Sequence, residues 1–314
     1  MSESIIEISK KILKNNLGVK STENVLILSD EDKSELGKAL YKAAKYLTDN
    51  PLYIEIPNSS RAGEEPPLIA AKAMELSDVV VCITKNSVTH TKAKENAVLA
   101  GARVATMPGI TSEMFANGAI TADYDEVEKL TDNLIEKLND TKNVRIVKNG
   151  QQFTFSVENR VGIRSVGVYK NSGESGNLPS GEAYIAPVEG SANGTLIVDG
   201  SFVGVGKLKE PIKLIIENGR LLDIKGYCSK TILDILGPNL GRNVAEFGIG
   251  TNRAARLTGN ILEDEKVAGT VHVAFGSNKT FGGETDAGVH LDGIILEPTF
   301  YLDDELIMKE GKFI

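Results

Sequence analysis

The chain has 314 residues, 41% of them hydrophobic and 25% charged, with a formal net charge of -8. That length suits one large domain or two ordinary ones, no stretch nears the roughly 20 continuous apolar residues of a membrane helix, and the acidic balance argues against an extended nucleic-acid surface. The N-terminal "MSESIIEISKKILKNN" lacks a secretory layout, and Cys82 and Cys228 lie far apart without CxxC spacing, so the expectation is a cytoplasmic protein with buried, unpaired thiols. Its partner is expected to be a short peptide or small molecule, with no membrane or nucleic acid.

The first half alternates strand and helix patterns. "NVLILSD" (24 to 30) is a buried strand, and the helix after it carries Leu36, Leu40, Ala43, Ala44 and Leu47 at helical spacing. "LYIEI" (52 to 56), "DVVVCIT" (78 to 84) and "ARVATM" (102 to 107) are further strands, separated by the helical segments "PPLIAAKAMEL" and "HTKAKENAVLAG". Such repeats predict right-handed crossovers and a mostly parallel sheet. "DYDEVEKLTDNLIEKLND" closes this half as a helix with Val127, Leu130, Leu134 and Leu138 on one side.

Beyond it the pattern becomes β-rich, with Asn149-Gly150 and Asn218-Gly219 as hairpin signals, since both central residues of a type I′ turn need positive φ. "SKTILDILG" is a helix within this half. The fold class is therefore an α/β N-terminal domain with a mostly parallel sheet (1–145), followed by a β-rich α+β domain (146–314) that carries the chemistry.

The chain contains three histidines. In "GTVHVAFG" the alternation turns His272 away from Val271 and Val273, and in "GVHLDG" it puts His290 and Asp292 on one side of a strand. Imidazole with carboxylate suits zinc, cobalt, manganese or iron. Glu246 inside the apolar strand "NVAEFGIG" and Glu182 after a Pro-Ser-Gly turn in "NLPSGEAYIAP" extend the set, because ionised carboxylates in apolar surroundings need a cation or donor. Five ligands of this kind suit two bridged divalent ions.

These segments resemble the metallo-aminopeptidase family of the aminopeptidase T and aminopeptidase S type, and "THTKAKENAVLAGARVATMPGIT" (89 to 111) is similar to that family's first domain. The resemblance implies hydrolysis of the N-terminal peptide bond by a metal-activated water, usually in a homodimer. It implies Glu182, Glu246, His272, His290 and Asp292 as ligands, with Glu246 and Glu182 as the catalytic carboxylates. The chain departs from the family at Lys279, which stands where a catalytic tyrosine is expected, so the oxyanion-stabilising donor to the substrate is read as either missing or supplied by Lys279.

The dihydroxypyridine ring-cleaving dioxygenases share this scaffold by resemblance, and imply instead one ferrous ion on His272, His290 and Asp292. A metal-stabilised homologue without turnover is the third reading. His90 is read as a substrate contact or an interdomain hydrogen bond, with Thr89 or Thr91 as a helix cap. Arg253 and Arg256 are read as binders of a substrate carboxylate or, in preference, as partners of "EDE" (263 to 265), itself read mainly as a solvated acidic loop.

Overall fold

The computed structural model describes residues 3–314; Met1 and Ser2, which open the N-terminal stretch read above, lie outside the described residues. The chain groups into two compact units, one running up to Tyr124 and including Gly167–Ser180, the other made of Asp125–Val166 and Gly181–Ile314.

The first unit is the expected α/β layer. Its sheet runs Asn50–Ile56, Asn24–Asp30, Val79–Ile83, Arg103–Thr106, Ser175–Asn177, with every neighbouring pair parallel. Val79–Ile83 is buried along its whole length, as a strand covered on both faces by helices must be. Helix Ser34–Ala44 packs Leu36, Leu40, Ala43 and Ala44 inward, as their spacing predicts, whereas Leu47, expected on the same stripe, lies in the turn beyond the helix end.

The second unit contains two antiparallel sheets. One has eight strands, in the order Arg220–Lys225, Ile212–Glu217, Asn193–Val198, Gln151–Ser156, Asn143–Lys148, Thr299–Leu302, Glu305–Lys309, Lys312–Phe313. The other has seven, in the order Gly206–Lys207, Ser201–Phe202, His290–Leu296, Thr270–Gly276, Val244–Gly250, Glu182–Ile185, Ile163–Ser165. Their inner faces share a core in which the rings of Phe155 and Phe247, one from each sheet, lie 5.4 Å apart and Phe247 and Phe300 5.7 Å apart. Both predicted hairpins form, with φ of 48° and 71° at Asn149-Gly150 and 50° and 75° at Asn218-Gly219.

The division between the units differs from a single boundary at residue 145. Helix Tyr124–Asp140 sends Leu134 and Leu138 into the core of the second unit. Residues 167–180 belong to the first unit, where Ser175–Asn177 extends the parallel sheet as its edge strand. Among the described residues no helix is long and apolar enough to cross a membrane.

Candidate metal centre

Four neighbouring strands of the seven-stranded sheet build the site. Along each one the period-two alternation sends one set of side chains into the core and the other to the opposite face. Ala183 and Ile185, Phe247 and Ile249, Val271 and Val273, and Leu291 and Ile295 fill the core. Their alternating neighbours Glu182, Glu246, His272, His290 and Asp292 therefore meet on the other face.

A β-bulge makes this possible on the Val244–Gly250 strand. Val244 pairs with Phe275 and Glu246 with Ala274, so one residue is inserted between them. Without it Val244 and Glu246 would share a face; with it Val244 joins the core and Glu246 points to the site. Ala274 pairs with Glu246 on one side and Asp292 on the other, and Gly248 pairs with His272 on one side and Tyr184 on the other. Small residues thus alternate with the ligating ones across the sheet.

The contacts are close. His272 Nε2 is 3.3 Å from Glu246 Oε1 and 3.5 Å from Glu182 Oε2, while His290 Nε2 is 3.4 Å from Glu246 Oε2 and 3.5 Å from Asp292 Oδ1. Three overlapping groups hold ligand atoms within 4.8 Å of one another: Glu182 with Glu246 and His272, Glu246 with His290 and Asp292, and Glu265 with His272 and Asp292. His272 is fully buried and His290 has 31% of its side chain exposed, so the site opens to solvent at His290.

His290 Nδ1 lies 2.8 Å from the Ser277 carbonyl oxygen. A carbonyl only accepts, so Nδ1 carries a proton and the neutral ring turns the Nε2 lone pair toward the carboxylates, the arrangement that orients a metal-binding imidazole.

The crowding of imidazoles and carboxylates shifts the titration of several of them. Burial works against a charged imidazole at His272, yet its hydrogen bond to Glu246 and the nearby Glu182 raise its pKa to about 9. At His290 burial likewise opposes charge, and Asp292 and Glu246 outweigh it, raising the pKa to about 10. For Asp292 burial favours the neutral form, but His290 and His272 hold its carboxyl below the ordinary range. Glu182 Oε2, Asp292 Oδ1 and His272 Nδ1 are buried without a hydrogen-bond partner. Buried orphan carboxylate oxygens are costly unless a cation meets them, so the donor set fits a divalent ion that accepts nitrogen and oxygen ligands.

Sequence reasoning missed Lys266. Its side chain is 1% exposed, and its Nζ lies 2.5 Å from Glu182 Oε1 and forms a second ion pair with Glu265. Burial alone would discharge the lysine; Glu182 and Glu265 overcome this and raise its pKa instead. Glu265 has its carboxyl pushed up to about 7, by burial first, with Lys266 opposing and Glu182 adding to the rise. Tyr184, on the Glu182 strand, was also overlooked: burial and then the charges of Glu246 and Glu182 raise its pKa, so its phenol remains protonated. Phe281 stands edge-on between the two rings, 5.6 Å from Tyr184 and 5.9 Å from His290.

Several expectations need correction. "EDE" is not a solvated loop, because Glu263 and Asp264 are fully buried. Asp264 accepts from Thr258 N at 2.6 Å, Gly259 N at 2.9 Å and Ser201 Oγ at 2.6 Å, which ties the short helix Ile261–Asp264 against the fold. Arg256 does pair with Glu263, Nε to Oε1 at 3.6 Å, whereas Arg253 is exposed. Lys279 lies in the exposed turn Lys279–Phe281, and its side chain enters no ion pair among the described residues. His90 is exposed in the first unit, in the turn before helix Lys92–Leu99. Thr91 caps that helix, its side chain accepting from Lys94 N at 3.2 Å. A cleft at the carboxyl ends of the parallel strands is lined by Asp30, Ile56, Thr84 and Val88 but not by His90.

The fold and the site define a protein in which an α/β unit accompanies a β-sandwich carrying a candidate metal site of carboxylate and imidazole donors. The chain belongs to the family of NicX, 2,5-dihydroxypyridine 5,6-dioxygenase, whose model matches residues 4–314. Among solved structures it is similar to 2,5-dihydroxypyridine dioxygenase from Pseudomonas putida KT2440, at 20% identity and a TM-score of 0.85, over 100% of this chain and 98% of that one. It is also similar to wild-type AmpT from Thermus thermophilus, at 14% identity and a TM-score of 0.74, over 99% of both chains. No curated protein matches the sequence.

The aminopeptidase expectation is overturned by the family match, together with its description as a hydrolase and protease. The aminopeptidase resemblance survives as a likeness of fold. In this chain an exposed Lys279 stands where the aminopeptidase resemblance expects a tyrosine, and Lys266 engages Glu182.

Proposed function

We propose that this chain is a ring-cleaving dioxygenase acting on a dihydroxylated pyridine, with one ferrous ion held by His272, His290 and Asp292. The observation that carries the reading is a family match over residues 4–314, coinciding with two imidazoles and a carboxylate on adjacent strands. A ferrous ion bound there would let dioxygen react with an electron-rich ring, chemistry that a two-histidine, one-carboxylate set with open positions supports.

The chain's own residues have separable tasks in this reading. Ser277 fixes the tautomer of His290 through its carbonyl. Asp292 supplies negative charge that offsets part of a bound cation's charge. Glu246, whose two oxygens face the two histidines, is placed to take the proton of a ring hydroxyl as the substrate binds. The protonated Tyr184 phenol donates a hydrogen bond to the oxygen that results, and Phe281 offers an aromatic wall at the open side near His290. Glu182, tied to Lys266, has no catalytic task.

Anaerobic purification, iron quantification and oxygen uptake with 2,5-dihydroxypyridine test the reading. The expected result is close to one iron per chain and oxygen consumption matching loss of the ring absorbance, both lost in His290→Ala. An iron-loaded protein that consumes no oxygen with this or any isomeric dihydroxypyridine overturns it.

A further inference from the structure

The fold brings together more negative charge than one divalent ion balances. Four carboxylates, Glu182, Glu246, Glu265 and Asp292, share the three overlapping ligand groups with the two histidines. Two of them, Glu182 and Glu265, are ion-paired to Lys266. The backbone of Lys266 is held as firmly as its side chain: its N–H donates to Glu263 O at 3.0 Å and its carbonyl accepts from Asn252 N at 2.9 Å. The adjoining residue presses on the site strand, where a Cβ at Gly250 would meet Val267 O at 2.1 Å. A lysine ammonium on a buried side chain, anchored at both ends, is a fixed cation rather than a mobile surface charge.

Its position bears on how many metal ions the site accepts. Glu182, Glu246 and His272 form one ligand group, and Glu246, His290 and Asp292 form another. Together they have the composition of a two-ion site bridged by Glu246. Among the described residues the ammonium's ion pairs are with Glu182 of the first group, at 2.5 Å from its Oε1, and with Glu265; none is with a member of the second. A divalent ion bound by Glu182 would face that ammonium across a few ångströms of low-dielectric interior, where like charges repel strongly.

We propose that Lys266 limits the site to one metal ion: its ammonium serves as the built-in second cation, taking Glu182 and Glu265 out of metal coordination and leaving the His290–Asp292 side as the metal position. This rests on the single-ion reading above and adds the residue that enforces it. Lys266 is thereby a specificity-determining residue that touches neither substrate nor metal.

The test counts ions. Metal-free wild type, Lys266→Met, and Lys266→Met combined with Glu265→Gln, which restores the wild-type net charge, are titrated anaerobically with cobalt(II), desalted and subjected to elemental analysis. Circular dichroism of each cobalt-loaded sample reports folding. Wild type is expected to retain one cobalt per chain, and at least one of the two variants two, with folding that depends more on cobalt than in wild type.

Wild type retaining two ions overturns the proposal and the single-ion reading together. Wild type retaining one while both variants also retain one overturns only the proposal for Lys266. Failure of both variants to fold in excess cobalt also overturns it, because a divalent ion bound to Glu182 should take over the lost ammonium's role.

Discussion

Gly248 lies directly opposite His272 in the antiparallel pairing of their strands, and a Cβ at Gly248 would lie 2.0 Å from His272 Nε2. The imidazole occupies the volume that any side chain at residue 248 would need. Gly248→Ala is therefore expected to push His272 out of the cluster, at an overpacking cost of roughly 1–3 kcal/mol. Metal content should fall at least tenfold while the circular dichroism spectrum stays that of a folded protein. Undiminished metal binding in this variant would contradict the placement of His272.

The metal-free protein should lose stability with rising pH. His272 and His290 have folded-state pKa values of about 9 and about 10, against an ordinary value near 6.5 in the unfolded chain. A raised folded pKa means that the folded state binds protons more tightly, so the contribution is complete below about pH 6.5 and disappears as pH climbs through 9 to 10. Glu265, raised to about 7, acts in the same direction but at lower pH, its contribution being lost as pH rises toward 7. Asp292, held low, contributes stability that is lost only in acid, outside this window. Metal binding has the opposite slope, since an ion must displace the imidazole protons. Melting temperatures of chelator-treated protein should fall from pH 7 to 10, and the gain from added metal should grow over that range. A flat apo profile would rule out charged histidines.

Much of this site was legible because a strand's side-chain period is two. Val271 and Val273 in the core force His272 to the other face, and Leu291 does the same for His290 and Asp292. The parallel strands and both Asn-Gly turns were equally local signals. The bulge that separates Val244 from Glu246 was not legible, because it exists only in the pairing with Phe275 and Ala274. Lys266 was not legible either, since its partner Glu182 is 84 residues away in sequence. An "EDEK" run reads as solvated surface until the fold supplies buried donors for it. The reaction was misread because carboxylates and imidazoles on one scaffold serve hydrolysis and oxygenation alike.

Asp264 offers a test of the buried acidic segment that does not depend on metal. Its carboxylate accepts from Thr258 N, Gly259 N and Ser201 Oγ with no solvent contact. Asp264→Ala leaves those donors unsatisfied and should destabilise the protein by roughly 2–4 kcal/mol, given that hydrogen bonds to charged groups are the strong ones. Asp264→Asn keeps one acceptor oxygen and should cost less. Urea unfolding of the chelator-treated proteins measures both; equal stabilities in all three would mean that Asp264 is solvated after all.

Tyr184 and Phe281 should separate chemistry from substrate binding. The raised pKa of Tyr184 keeps its phenol protonated across the working range, so Tyr184→Phe removes a hydrogen-bond donor and leaves the ring packed edge-on against Phe281. Loss of one such donor typically costs on the order of 100-fold in rate, and kcat should fall by about that factor with the same depression at pH 6 and pH 9. Phe281→Ala instead removes the ring beside His290 and with it the wall against which a flat substrate would rest, so KM should rise about tenfold while kcat changes little. Phe281 has no donor atom and the Tyr184 phenol stays protonated, so metal content must remain at the wild-type level in both variants. A Tyr184→Phe enzyme with undiminished kcat would remove the phenol from the reaction and leave Glu246 as the one group assigned to the substrate's proton.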